Sequence, residues 1–270
     1  MKKKLVLIPL ILIILLMFTG CSNLEVYQHY TYNDTNYNIG NKAYNEEINE
    51  INIDWIVGNI YIIQSSNHEI IIREETDIKA EDIYKMHYKL ENKILDIKFC
   101  GSIPKLDYSY RVKDLYVFLP SQINKITINN VSSDIEINNV KIYELDINNV
   151  NGDILIQNNT IEKMDVENIS GEIILLENIF SKVEIASTNG NIGMSFVSLP
   201  KELDITALSA NITLYILNTD IVSIEFETIS GKLESNLQYT KNEDTYIFNG
   251  KLDDNYEVET VSGSLVINKK

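Results

Sequence analysis

Apolar and polar residues alternate along most of this chain, and the alternation comes in units that repeat. In one such unit, apolar side chains stand at Leu145 and Ile147 and again at Ile154 and Ile156, with polar residues between them. A period of two predicts β-strands that bury one face. Between the two strands, an Asn-Gly-Asp sequence predicts a tight turn, because glycine adopts a positive φ at little cost. A second polar turn then leads into the next unit.

The turn belongs to a five-residue phrase, such as Val150-Asn-Gly-Asp-Ile154 or Ile169-Ser-Gly-Glu-Ile173, that recurs along the chain. Its third residue falls at Ser133, Gly152, Gly171, Gly190, Ala210, Gly231 and Gly263, which gives steps of 19, 19, 19, 20, 21 and 32 residues. About 19 residues hold two strands and two turns but are too few for a strand, a helix and a second strand. The sequence therefore predicts an all-β fold, a parallel two-sheet β-solenoid (β-helix) with coils of about 19–21 residues.

Alignment of the coils predicts four inward-facing columns of aliphatic side chains. In chain order the first column reads Ile126, Leu145, Met164, Val183, Leu203 and Ile224. Of the 24 positions in the four columns, Ser235 alone is polar. A single coil cannot bury such a face, whereas stacked coils bury it continuously. We therefore expect one dry core along a solenoid domain at residues 121–270.

Both ends of such a solenoid expose unpaired backbone groups, so each end is expected to carry a cap. We assign residues 46–120 to a β-rich N-terminal cap, in which Ile56–Ile60 repeats the phrase and marks a candidate first coil. A strand at Tyr108–Tyr110 belongs to the same cap. At the C-terminal end, Thr245–Phe248 and Tyr256–Glu259 predict a hairpin before the last coil.

The first 20 residues are predicted to be a secretory signal peptide rather than part of the fold. Three lysines at positions 2–4 precede the 14-residue apolar run Leu5–Phe18, which is shorter than the roughly 20 residues of a membrane-spanning helix. The sequence Phe-Thr-Gly-Cys that ends this region resembles a bacterial lipobox, which predicts a diacylglyceryl group on Cys21. An ordinary secretory signal, or an uncleaved anchor with an incidental cysteine, is the alternative. Residues 21–45 have no sustained period and are predicted to be a tether.

The charge of the chain excludes some partners. The chain has 23 basic and 39 acidic residues, a formal net charge of −16. Cleavage before Cys21 would remove three lysines and leave 20 basic against 39 acidic residues, a net charge of −19. Such an acidic chain has no electrostatic reason to bind nucleic acid or an anionic lipid surface, so acyl chains would provide its membrane attachment. The other cysteine, Cys100, ends a strand pattern and is expected to be a small semi-buried residue rather than a reactive thiol.

These repeats resemble the bacterial "putative adhesin" family of cell-envelope β-solenoids over roughly residues 48–270. That family is marked by a hydrophobic-Ser-Gly-Asp-Ile phrase at about 20-residue spacing, often behind a signal peptide or a lipid anchor. The phrase stands here as Ile169-Ser-Gly-Glu-Ile173 and Ile229-Ser-Gly-Lys-Leu233. The resemblance implies a surface-exposed, non-enzymatic protein, and the family has no catalytic residues to carry over.

The outward positions of the first strands carry a column of acidic side chains. It reads Thr127, Asp146, Asp165, Glu184, Asp204 and Glu225, with lysines on several of the same strands. Such a column either binds cations or forms a solvated charged face. The solvated face is favoured, because no EF-hand or Asp-rich nonapeptide pattern is present. Separately, Asn130, Asn149 and Asn168 stand just before the turn in three successive coils and predict a hydrogen-bonded asparagine ladder.

The outward positions of the second strands are less polar and form the predicted partner-binding face. Leu155, Ile174, Leu176 and Tyr215 stand there among polar residues. An exposed apolar patch on a monomer often marks an interaction surface. The alternative is that the cap or the tether covers this patch.

The sequence favours a lipid-anchored interaction or adhesin-like module on the extracytoplasmic side of the cell membrane, with no catalytic activity, no cofactor and no metal site. Its expected partners are the membrane, through the N-terminal lipid, and an unknown envelope protein or wall polymer. An envelope-stress sensing accessory protein is the alternative. A polysaccharide-active β-helix enzyme is less favoured, because the coils are short and the arginines and histidines of the chain all precede them, at His29, His68, Arg73, His87 and Arg111.

Overall fold

The computed structural model describes residues 28–76, 81–106, 112–120, 122–217, 219–249 and 255–270. Within these ranges the chain is almost entirely β-strand, and the one 3₁₀ turn spans Asp82–Tyr84. The all-β prediction is thus confirmed. No helix in the described part is long and apolar enough to cross a bilayer. The expected strand Tyr108–Tyr110 and the expected attachment site Cys21 lie outside the described residues.

The strands fall into three groups along the chain. The N-terminal group comprises β1 (Gln28–Tyr30), β2 (Asn38–Ile39), β3 (Lys42–Tyr44), β4 (Glu50–Val57), β5 (Ile60–Gln64), β6 (Ile70–Glu75), β7 (His87–Glu91), β8 (Ile94–Lys98), β9 (Ile103–Leu106) and β10 (Asp114–Leu119). The central group comprises β11 (Ile123–Ser132), β12 (Ile135–Asn138), β13 (Lys141–Asn151), β14 (Ile154–Gln157), β15 (Thr160–Ser170), β16 (Ile173–Asn189), β17 (Ile192–Ser198), β18 (Glu202–Ser209) and β19 (Ile212–Ile216). The C-terminal group comprises β20 (Val222–Thr228), β21 (Leu233–Ser235), β22 (Tyr239–Asn242), β23 (Thr245–Phe248), β24 (Asn255–Thr260) and β25 (Leu265–Lys269).

The central strands stack in parallel in two rows. β11, β13 and β15 pair in the first row, and β12, β14 and the start of β16 pair in the second row. The register advances by 19 residues, so that Ile126 faces Leu145 and Leu145 faces Met164. β16 is long because its first part belongs to the second row and its last part belongs to the first row of the next coil. The chain thus winds from one coil directly into the next.

The inward side chains of both rows form one apolar core that runs along the stack. Leu145, Ile147, Ile154 and Ile156 of one coil are all buried. Corresponding positions are buried in the neighbouring coils, because each coil covers the apolar edge of the next. The polar exception, Ser235, lies in β21 of the last coil in the stack and is partly buried.

The order of the coils in space departs from their order in the chain at the C-terminal end. β24 lies between β18 and β20, and β25 lies between β19 and β21, with all of these pairs parallel. Leu203 therefore faces Tyr256, which in turn faces Ile224. The prediction that Leu203 and Ile224 are neighbours in the first column is wrong. An alternating pattern specifies which side chains turn inward, but it does not specify which coil lies beside which.

The C-terminal hairpin also differs from the prediction. Thr245–Phe248 is a strand, β23, but its partner in the hairpin is β22 at Tyr239–Asn242. Tyr256–Glu259, predicted to be the other arm, belongs to β24 of the inserted coil. The β22–β23 turn is a two-residue connection in which Glu243 has a positive φ of 52°. β23 also pairs antiparallel with β20 and so covers the edge of the first row.

The N-terminal end of the stack shows the same arrangement. The early copy of the phrase, Ile56–Ile60, does lie in a coil, with β4 beside β11 and β5 beside β12. A further coil, made of β8 and β10, stacks on the outer side of β4 and β5. Beyond this coil, β7 and β6 are antiparallel to β8 and β10. The first and last coils of the chain are therefore each enclosed between two others.

Residues 28–45 are not the irregular segment that the tether prediction describes. β1 pairs with β9, β2 with β7 and β3 with β6. The Tyr32 hydroxyl donates to the Cys100 carbonyl over 2.8 Å, and the Tyr30 hydroxyl accepts from the Phe99 N–H over 3.0 Å. Tyrosine provides both an apolar ring and a hydroxyl. This segment therefore packs against the N-terminal cap. Its strands were not predicted because they lack the alternation of apolar and polar residues.

Two asparagine ladders hold the turns of the central coils in register. In the predicted ladder, Asn130 Nδ2 donates to Asn149 Oδ1 over 2.5 Å, and Asn149 Nδ2 donates to Asn168 Oδ1 over 2.8 Å. All three are buried, and each also donates to the carbonyl three residues further on. A second ladder, which the sequence analysis missed, joins the other turns, where Asn178 Oδ1 accepts from the Asn159 N–H over 2.9 Å. The 19-residue spacing of these two asparagines was its signal.

Candidate functional site

The four residues of the predicted partner-binding face lie on the outward side of the second row. Leu155 of β14 faces Ile174 of β16, and Leu176 stands two positions further along β16. Leu176 faces Ser195, which in turn faces Tyr215 of β19. The two leucines and the isoleucine therefore form one contiguous group, and Tyr215 lies two coils away in the column of Leu176.

The described residues leave this group open to solvent. The exposed fractions are 39% for Leu176 and 41% for Tyr215, and Leu155 and Ile174 are partly exposed. The sequence left open the alternative that a tether or cap lies over the group. Residues 28–45 instead pack against strands of the N-terminal cap.

A shallow recess interrupts the same face beside Ile174. Ile174 faces Gly193 of β17, and a Cβ atom built on Gly193 would meet no other atom within 4 Å. Near this recess, Glu177 accepts a hydrogen bond from Ser195 Oγ over 3.0 Å and pairs with Lys270 Nζ at 2.9 Å. The bond from Lys270 holds the pKa of Glu177 below its ordinary value. The apolar group therefore lies beside a shallow recess, and the Glu177–Lys270 ion pair lies near that recess.

A second apolar group on the outward side of the second row was missed by the sequence analysis. The rings of Tyr61 and Tyr116 stack with centroids 4.7 Å apart, and the Phe118 ring lies 6.2 Å from that of Tyr116. The Arg73 guanidinium lies over Tyr116 and Phe118, 5.1 and 5.5 Å from their centroids. Burial, and then nearby carboxylates, raise the pKa of Tyr116. The alternation predicts that these rings point outward. Their adjacency depends on the order of the coils, which the alternation does not predict. Glu136 separates them from the first group.

The acidic column is longer in space than in the predicted alignment. It runs through Asp146, Asp165, Glu184, Asp204, Glu257 and Glu225, and Glu257 enters with the inserted coil. Lys125 pairs with Asp146 at 2.6 Å, and Lys182 pairs with Glu184 at 2.8 Å. Burial, and then neighbouring carboxylates, raise the pKa of Asp165. In the part of the chain that the structure describes, no three or more His, Cys, Asp or Glu residues are placed to hold a metal ion.

Two of the residues singled out from the sequence, Cys100 and His87, are buried in the N-terminal cap. Cys100, expected to be semi-buried, is fully buried, and its thiol donates to the Gly101 carbonyl over 3.3 Å. His87 is also buried, its ring lies 3.4 Å from the Tyr32 hydroxyl, and burial lowers its pKa. Arg111 lies outside the described residues.

The sequence profile described as Toastrack DUF4097 matches residues 54–268, which is 215 of the 270 residues. This chain belongs to the Toastrack DUF4097 family. The matched range begins within β4 and ends within β25. It therefore includes the regular central coils and the two enclosed coils, one made of β4 and β5 and the other of β24 and β25. No protein of curated function matches this sequence.

Solved structures similar to this Toastrack chain have low sequence identity to it. A putative cell adhesion protein from Clostridium sporogenes is 16% identical, has a TM-score of 0.41, and covers 86% of this chain and 100% of its own. A putative lipid binding protein from Parabacteroides distasonis is 17% identical, with a TM-score of 0.47 and coverages of 86% and 97%. A putative adhesin from the same species is 10% identical, with a TM-score of 0.46 and coverages of 87% and 98%. Similarity at this level carries no conclusion about what the Toastrack chain binds.

Proposed function

We propose that this Toastrack protein is a non-enzymatic binding module, held on the extracytoplasmic side of the cell membrane by a lipid on Cys21. The observation that carries the proposal is the solvent-exposed apolar group of Leu155, Ile174 and Leu176, with Tyr215 nearby. We call the outward side of the second row around these four residues the apolar face. Its partner is an envelope protein or a wall polymer.

The apolar face is better suited than the acidic column to provide binding energy. Burial of a large apolar side chain contributes on the order of 1–3 kcal/mol, and a few such residues dominate most interfaces. The carboxylates of the column are partly exposed to solvent, and some are paired with Lys125 and Lys182. Removal of water from those charges costs free energy that new contacts must first offset. We therefore assign partner capture to the apolar face and solubility to the acidic column.

The proposed anchor holds the N-terminal cap near the membrane. Six residues separate Cys21 from Gln28, where β1 begins. An extended chain spans at most about 3.5 Å per residue, so the body of the protein begins within roughly 25 Å of the lipid. β1 docks on β9 of the cap, and the coils extend from that attachment point. The partner is therefore expected in the zone just outside the membrane.

Paired substitutions on the two faces test this assignment. Ile174→Glu with Leu176→Glu places two charges on the apolar face, whereas Asp165→Asn with Glu184→Gln neutralises part of the acidic column. The lipidated proteins are compared for co-sedimentation with purified cell wall and for cross-linking to envelope proteins in intact cells. We expect the glutamate pair to abolish capture with little change in melting temperature, because both side chains lie on the outward side. The acidic-column pair should retain capture.

The opposite result would assign the function elsewhere. Loss of capture only in the acidic-column pair would mean that the acidic column is the functional surface. A calcium-dependent rise in the melting temperature of the wild type that this variant lacks would lead to the same conclusion. Capture of wall polymer favours adhesion, whereas a cross-link to a membrane signalling protein favours the envelope-stress role.

A further inference from the structure

A cleft of about 450 Å³ lies between the N-terminal cap and the first of the central coils, separate from the apolar face. Tyr44 at the end of β3 and Ile70 at the start of β6 line one side, and Gln122 and Asn124 around the start of β11 line the other. We propose that this cleft binds a neutral polyhydroxylated ligand, of which a pyranose unit is the simplest example.

The hydroxyl of Tyr44 is the strongest indication of a ligand. Tyr44 is 5% exposed, and its ring packs edge-on against Tyr88 with the centroids 6.1 Å apart. Its hydroxyl is buried and has no hydrogen-bond partner within the described ranges. Such groups are rare in folded proteins, because a buried hydroxyl without a partner has lost its bonds to water. Burial also raises the pKa of Tyr44, so the hydroxyl stays a neutral donor. Tyr44 lines the cleft, so a small rotation of its ring would bring the hydroxyl within reach of a ligand oxygen, which would complete its hydrogen bonding.

The remaining polar groups favour a neutral ligand over an anion. The described lining contains no Lys or Arg. It contains two carboxylates, those of Glu46 and Glu47, of which Glu47 is paired with Lys93 at 2.7 Å, and both disfavour an anion. The side-chain amides of Asn49, Gln122 and Asn124 each offer donors and an acceptor. Alcohol groups also donate and accept, so they match this rim better than an anion does.

The accessible lining of the cleft is mainly polar. Its apolar residues, Ile48, Ile70, Leu119 and Ile123, are almost fully buried. A mainly polar lining suits the hydroxyl groups of a sugar better than an apolar ligand. Small-molecule sites typically have volumes of about 300–1,000 Å³, and the volume of this cleft is sufficient for one or two sugar rings.

Tyr44→Phe distinguishes a ligand site from a structural tyrosine. The full chain, in a detergent without a sugar head group, is titrated calorimetrically with glucose, galactose, N-acetylglucosamine and maltose as probes. We expect at least one probe to bind with one-to-one stoichiometry, and Tyr44→Phe to weaken that binding about tenfold or more, because the ligand loses a hydrogen bond in a buried site. The melting temperature of the unliganded variant should be unchanged or higher, because the removed hydroxyl has no protein partner.

Three variants serve as controls. Tyr143→Phe changes an exposed tyrosine on a central coil and should bind the probe like the wild type. Gln122→Ala removes an exposed amide from the rim and should weaken binding several-fold without affecting the fold. The Ile174→Glu, Leu176→Glu pair should bind the probe normally, so failure of the apolar-face proposal and failure of this one are distinguishable.

Several results would overturn the proposal. If no probe binds at millimolar concentration, or if the probe binds Tyr44→Phe and Gln122→Ala as it binds the wild type, the cleft is not a sugar site. A lower melting temperature for unliganded Tyr44→Phe would make the hydroxyl structural. Binding of choline or calcium alone that these variants abolish would assign the cleft to a cation instead.

Discussion

Replacement of Gly171 by valine is a direct test of how the coils stack. Gly171 lies in the turn before β16 with a φ of 124°, a conformation that residues with a side chain rarely adopt. A Cβ atom built there would lie 2.0 Å from the carbonyl oxygen of Gly152 in the adjacent coil, whereas real Cβ contacts stay beyond 3.0 Å. Valine therefore meets both a backbone penalty and a clash with a neighbouring backbone.

Two costs add at this position. The disfavoured conformation costs on the order of 1–3 kcal/mol. Relief of the clash requires the coils to separate locally by roughly 1 Å, which weakens bonds between them such as Gly152 N–H to Ser170 O and Ile154 N–H to Glu172 O, now 3.2 and 2.8 Å long. Each such bond contributes about 1 kcal/mol. We expect Gly171→Val to lower the free energy of unfolding by roughly 3–5 kcal/mol.

Gly193→Val is the matched control. Gly193 lies in β17 on the outward side, with open space where its Cβ would stand, and valine is favoured in strands. Urea unfolding followed by circular dichroism should place this variant within about 0.5 kcal/mol of the wild type. Repeat proteins need not unfold in two states, so both the midpoint and the slope are compared. Equal and small effects at Gly171 and Gly193 would refute the stacking register.

Three further predictions concern the ladder, the acidic column and the anchor. Asn149→Ala should destabilise the protein by about 1–3 kcal/mol because it removes a buried link of the ladder, whereas the exposed Asn148→Ala should cost little; thermal unfolding of both gives the comparison. Asp165→Asn should raise the melting temperature near pH 7, because burial and neighbouring carboxylates raise the pKa of Asp165 in the folded state and disfavour its charged form. That gain should vanish as the pH falls through the raised pKa towards the ordinary value near 4, and a gain that grows on acidification would contradict the sign. Cys21→Ser should leave an unprocessed precursor or a released protein, and an unmodified mature N-terminus in the wild type, found by mass spectrometry, would argue against the lipid anchor.

Much of the local structure could be predicted from the alternation and the repeated phrase. Every strand that buries one face alternates apolar and polar residues. From this alternation alone we assigned Leu145 and Ile154 to the inward side, and Ile174 and Leu176 to the outward side. The ladder through Asn149 was predictable for a related reason, since coils of constant length bring the same position into contact at each level. The assignment of a partner to the outward residues stays a prediction.

The order of the coils and the assembly of sites from distant residues were decided only in the tertiary structure. Coils with the same apolar columns can stack on one another in any order, so the sequence pattern contains no preference for enclosing β24 and β25 between earlier strands. That choice depends on long-range pairing, and it places Glu257 in the acidic column. At the N-terminal end, the pairing of β5 with β10 likewise places Tyr61 beside Tyr116. The docking of Tyr30 and the cleft beside Tyr44 likewise join segments far apart in the chain. Contacts of this kind follow from the packing of whole elements, for which period and composition provide no signal.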